Sequence, residues 1–247
     1  MDDNPSAPSP EPKRNDWFPT THWSLILAAA HSGTPHAAAA LEQWCRLYSV
    51  PIANYIRRHW PRAEQVPDLA QAFFEHLHGK KYLKRADPRR GRFRCFLLTG
   101  VRRFLADQRD YETADRRDVR KTVTTDAIDD ERVIGFPGDH VPDSEYDRDW
   151  ACAVLDTVGQ RLRDEYVRLG KGALHEELKS FLPGAANEPP AYAEIARRTA
   201  SSEDAIKSAI WRLRRRWREL VRETVALTVP PEEVDEEIRY LIEILSR

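Results

Sequence analysis

The stretch AYAEIARRTASSEDAIKSAIWRLRRRWRELVR, residues 191–222, decides the fold. A short helical pattern (Tyr192, Ile195, Ala196) runs into Thr199, Ala200, Ser201 and Ser202. A longer one then repeats apolar residues at Ile206, Ile210, Leu213, Trp217 and Leu220. Steps of three and four put these residues on one stripe of a helix, so the stretch reads as helix, tight turn and helix. Ser201 or Ser202 is placed to cap the second helix, with Glu203 and Asp204 in its first turn, where the helix dipole favours negative charge. Ala200 stands where such a turn usually prefers Gly, so a residue with a β-carbon is expected to take a strained conformation there.

Off the stripe lie Lys207, Ser208, Trp211, Arg212, Arg214, Arg215, Arg216 and Arg218. Cations and short polar side chains on a helix that follows a shorter one are what a helix-turn-helix presents to the DNA major groove. A solvated amphipathic helix has the same pattern, and periodicity alone leaves both readings open.

Charge is segregated along the chain. Lys plus Arg number 39 and Asp plus Glu 40, a formal net charge of −1. Basic residues gather over 80–109 and 207–222, and acids over 126–149 and 232–243. Any nucleic-acid footprint therefore rests on local patches, not on net charge. Helical patterns with few glycines favour two small helical domains over one large one.

Other classes find little support. Cys45, Cys95 and Cys152 are far apart, without zinc-ligand spacing, and read as reduced core thiols of a cytosolic protein. His76 and His78, two residues apart, point to different helix faces and do not make a metal pair. No phosphate loop, HExxH pair or GxSxG elbow occurs, so no catalytic residue, metal or cofactor is expected. The opening MDDNPSAPSPEPKRND predicts a disordered tail and no signal peptide, and no apolar run is long enough for a membrane.

Before the deciding stretch, an apolar segment over 23–30 is followed by a helix over 35–48 and a third helix opened by Pro51, carrying Ile52, Tyr55, Ile56 and Trp60. Pro67 opens DLAQAFFEHLH, in which Leu69 or Ala70, Phe73 and Leu77 form the core stripe. Asp68, Gln71, Phe74, Glu75 and His78 are left on other faces. An aromatic beside a carboxylate and an amide suits a partner-docking spot, or a second packing contact. A basic loop over 80–92 leads into FRCFLLTGVRRFLADQR, which buries Phe93, Leu97, Val101 and Phe104, with Phe96 and Leu105 as further candidates, and leaves Arg92, Arg94, Arg102, Arg103 and Arg109 outside. Aromatics among cations suit single-stranded nucleic acid; the alternative is that every aromatic there is core. The pattern collapses between Asp110 and Asp149, then returns at Trp150, Val154, Val158, Leu162, Tyr166 and Leu169, and again at Leu174, Leu178 and Phe181. An acidic helix with Val234, Ile238, Leu241, Ile242 and Leu245 follows, expected to pack on the rest or to dock on a partner.

In this order, DLAQAFFEHL followed by GRFRCFLLTGVRRFLADQRD, an acidic linker and the helix-turn-helix stretch, the chain resembles the extracytoplasmic-function (ECF) sigma factors of bacterial RNA polymerase. TTHWSLILAA and PEEVDEEIRYLIEIL look like a particular subgroup of them. The resemblance covers nearly all of the chain outside the tail and linker, and its specificity lies in two motif blocks in the expected order.

It implies an all-α protein of two small helical domains: a tail over 1–18, a region-two-like domain over 19–110, an acidic linker over 111–148, a region-four-like domain over 149–229 and a terminal acidic helix over 230–247. It implies further that Asp68, Gln71 and Phe74 meet core RNA polymerase, and that Lys84, Arg85, Arg92, Arg94, Phe96, Arg102 and Arg103 hold the melted strand of the minus-ten element. Phe96 stands where many members have Trp, and Arg103 near a common Asn. Ser202, Glu203, Lys207, Ser208, Trp211, Arg212 and Arg215 match the residues that read the minus-thirty-five duplex. The implied partners are core polymerase, promoter DNA and, as a candidate regulator, an anti-sigma protein. A stand-alone helix-turn-helix regulator and a protein-interaction adaptor are the rival classes.

Overall fold

In the computed structural model, which describes residues 35–78, 92–117, 143–185 and 188–247, the chain is all-α. The helices are α1 (Pro35–His59), α2 (Val66–His78), α3 (Phe93–Arg117), α4 (Ser144–Arg168), α5 (Gly172–Leu178), α6 (Tyr192–Arg198), α7 (Glu203–Val225) and α8 (Val234–Ser246). The segment over 23–30, the basic loop with Lys84 and Arg85, and most of the acidic linker lie outside the described residues.

Pro51 does not open a new helix; it sits inside α1. An internal proline loses a backbone hydrogen bond and costs about 3 kcal/mol. Against this, one stripe of Trp44, Leu47, Tyr48, Ile52, Tyr55 and Ile56 runs unbroken across it, each side chain buried. Full burial of a single large apolar side chain is worth about 1.5–3 kcal/mol, so the stripe outweighs the proline. Trp44 is the centre of an aromatic cluster, its ring 4.5 Å from that of Phe93 and 5.3 Å from that of Tyr48.

The expected linker is shorter than its composition suggests. Helix α3 continues to Arg117, and α4 begins at Ser144, six residues before the apolar pattern resumes at Trp150. The Asp143 carboxylate caps α4 by accepting from the Tyr146 amide at 2.9 Å, which lets a polar first turn form. Helix α4 is the spine of the molecule. It packs on α1, α7 and α8, so the buried side chains form one connected core. Cys152 departs from the expected core thiol: it lies on the exposed side of α4, while Cys45 and Cys95 are half-buried.

Helices α4 and α6 end in the same way. After α4, the Lys171 amide donates to Tyr166 O at 2.8 Å and that of Gly170 to Val167 O at 2.9 Å. After α6, the Ser201 amide donates to Ala196 O at 2.9 Å and that of Ala200 to Arg197 O at 3.4 Å. Both are Schellman closures, which need a left-handed residue. The first uses Gly170 at φ 69°, and the second uses Ala200 at φ 50°, the strained turn expected from the sequence.

Candidate nucleic-acid interface

On α7 the apolar stripe is fully inside: Ile206, Ile210, Leu213, Trp217 and Leu220 are buried, with Ala209, Val221 and Val225 widening it. Ser202 caps the helix, its Oγ accepting from the Ala205 amide at 3.2 Å, and Glu203 and Asp204 fill the first turn. The seven residues matched to duplex recognition, Ser202, Glu203, Lys207, Ser208, Trp211, Arg212 and Arg215, all face solvent on the opposite arc. Trp211 is 57% exposed at its centre, with the Arg215 guanidinium 5.1 Å from its ring. Lys207 Nζ lies 3.2 Å from Asp204, and Arg215 Nε 3.4 Å from Glu219.

Two other arginines of this helix are structural. Arg214 Nε donates to the Phe181 carbonyl at 2.9 Å. Arg216 grips Glu165 of α4 through two bonds of 2.8 and 2.9 Å and also meets Glu219 and Glu223. Its hydrogen bonds to Glu165 raise the guanidinium pKa and hold the Glu165 carboxyl below its ordinary range.

The residues matched to the melted strand divide. Arg102 and Arg103 are half-exposed along α3, and Arg102 Nε donates to the Tyr55 hydroxyl at 3.1 Å. Phe96 is not available for base stacking; it is 4% exposed and packs 5.7 Å from Phe93 in the core. Arg94 is likewise buried, contrary to its expected place outside the helix. It falls in phase with Leu97, Leu98, Val101 and Leu105, so the core stripe carries it inward.

Inside, Arg94 Nε donates to Asp147 Oδ1 at 3.0 Å, and a second guanidinium nitrogen is ion-paired with Glu237. Its guanidinium stacks 4.4 Å from the Tyr240 ring and 4.9 Å from that of Trp150. Tyr240 completes the set by donating to Asp147 Oδ2 at 2.8 Å. Arg92, half-buried at the rim, meets Glu236 at 2.6 Å and Glu237 at 3.1 Å. Asp147, Glu237 and Tyr240 were not among the site residues expected from sequence. Their signal is phase: Asp147 is in register with Trp150 and Val154, and Glu237 with Val234, Leu241 and Ile244, so each is a charge on an apolar stripe.

On α2, Asp68 and Gln71 are exposed, and Gln71 Nε2 donates to Glu75 at 2.9 Å. Phe74 beside them is half-buried, edge-on to Trp44 at 6.5 Å, so it has the packing role as well as an open edge.

Among the described residues, no group of His, Cys, Asp and Glu is placed to hold a metal ion, and no helix is long and apolar enough to cross a membrane. Compared with protein-family models, curated proteins and solved structures, the chain matches none.

Proposed function

We propose that the chain is a promoter-specificity subunit of the ECF sigma type: a non-catalytic, cytoplasmic protein that docks on core RNA polymerase, recognises promoter DNA and helps to open it. The observation that carries this reading is the α6–turn–α7 unit. A capped helix anchored by a buried stripe presents Lys207, Ser208, Trp211, Arg212 and Arg215 together on a solvent face, as a helix in the major groove requires. The order of the sequence blocks supports the polymerase partner.

In this reading α7 contributes guanidinium and ammonium groups for base edges, each good bidentate pair discriminating by about 1–3 kcal/mol, while further cations set register on the phosphates. Asp68 and Gln71, on the open side of α2, meet polymerase. The melted strand falls to Arg102, Arg103 and the basic loop before α3, with Phe96 supporting that helix from inside.

The test is co-elution of the purified protein with core polymerase from a related bacterium, followed by run-off transcription from a genomic fragment library. A complex that starts at discrete sites is expected. Failure to bind polymerase, together with tight, salt-sensitive duplex binding, would replace this reading with a stand-alone helix-turn-helix regulator.

A further inference from the structure

Two cations at the start of α3 are already claimed from within the chain. Glu236 and Glu237, in the first turn of α8, accept from Arg92 and Arg94, and Tyr240 covers both guanidinium groups at 5.3 and 4.4 Å. A carboxylate presents oxygens to a guanidinium in the same forked geometry as a phosphate does. We infer that α8 is a built-in phosphate mimic, which closes the Arg92–Arg94 end of α3 against nucleic acid until it is displaced. This rests on the reading of α3 as a strand-binding helix.

The make-up of the contact favours displacement. The α7 side of α4 is lined by Val158, Leu162, Leu213 and Leu220, all without solvent exposure. The side facing α3 and α8 instead encloses Arg94, Asp147 and Glu237, each under 5% exposed. Tyr146 OH, close to Arg94 and Asp147, is also buried without a hydrogen-bond partner among the described residues. Burying ions and unpartnered polar groups spends much of the gain from contact on desolvation, and opening returns these groups to water. At the rim of this contact, Arg92 pairs with the exposed Glu236 at 2.6 Å, an ion pair that salt weakens. Such a contact is closed by charge and released by a competing polyanion or by a partner that holds α4 elsewhere.

The experiment uses the full chain and fluorescence anisotropy with a short, labelled, mixed-sequence single strand of DNA at fixed ionic strength. E236Q/E237Q should bind it about tenfold more tightly than the native protein, within the usual span of coupling between two sites. Adding R92Q should remove that gain. E236Q alone, at a side chain 63% exposed, should fold as the native chain does by circular dichroism and shift in the same direction. A folded E236Q and a folded double variant that both bind no better than native would overturn the mimic, while native run-off transcription would leave the promoter reading standing. Absence of strand binding in every variant, together with absence of polymerase-directed transcription, would overturn both.

Discussion

Arg94 Nε on α3 lies 3.0 Å from Asp147 Oδ1 on α4, across 53 positions of sequence, with both side chains shut off from water. Glu237 of α8 faces the same guanidinium. One buried ion set therefore joins three helices that the linear order keeps far apart.

Arg94→Met leaves the buried Glu237 with Arg92 alone and the buried Asp147 with the Tyr240 hydroxyl alone. The loss should be about 3–5 kcal/mol, the range for breaking a buried pair from one side, read as a lower urea midpoint. Combining it with Asp147→Leu should cost less than the sum of the single changes. Additive losses would mean that the two residues act independently.

Ala200→Gly should stabilise the protein by up to about 1 kcal/mol. Relief of a left-handed residue bearing a β-carbon is worth about 1–2 kcal/mol, and the freedom glycine gains in the unfolded chain offsets part of it. Gly170 already fills the equivalent place after α4. Thermal denaturation reads the sign, and a lower melting temperature would contradict it.

The cations of α7 should separate by function. Replacing Lys207, Arg212 and Arg215 with Ala should weaken duplex binding by about two to three orders of magnitude and flatten its salt dependence, with little change in stability. Arg216→Ala should do the reverse, costing about 1–2 kcal/mol through its lost bonds to Glu165 and sparing DNA affinity. Filter binding at several salt concentrations, beside urea denaturation, measures both. Equal effects of the two substitutions on binding would mean that Arg216 also belongs to the DNA face.

Polymerase affinity should fall with Asp68→Ala and Gln71→Ala, both exposed on α2, at unchanged melting temperature. Phe74→Ala is a poorer probe because the ring also packs on Trp44. Native-like affinity of the Asp68/Gln71 double variant, measured by surface plasmon resonance on immobilised core enzyme, would move the docking surface elsewhere.

Acid should weaken the fold in two stages. Burial pushes the His175 imidazole down, with Glu176 partly opposing it. The folded state therefore binds its proton less readily than the unfolded chain. Its contribution is complete above the unfolded value of about 6.5 and is lost as pH falls below that. The Glu165 carboxyl, held low by Arg216, gives stability that is present above the ordinary carboxylate range and lost as pH falls through its lowered value. His175→Leu should remove the first stage and leave the second. Melting curves of native protein and variant that run parallel between neutral and mildly acidic pH would count against this assignment.

The local sequence determined the α6–turn–α7 unit, a serine cap at Ser201 or Ser202, the strained turn at Ala200 and the polar arc from Ser202 to Arg215; the structure gives the cap to Ser202. Each depends on residues within a few positions of one another, where backbone geometry fixes the spacing. The tertiary structure decided the rest. Pro51 reads locally as a helix start, yet a shared core carries α1 through it. Arg94 reads as a surface group, yet α4 and α8 enclose it, and Phe96, which the resemblance makes a stacking group, packs on Phe93 in the core. Arg216 reads like its neighbours, but Glu165, 51 positions away, takes its charge. A cation on a helix has no fixed role until the opposite charge arrives from elsewhere in the chain, and only packing brings it there.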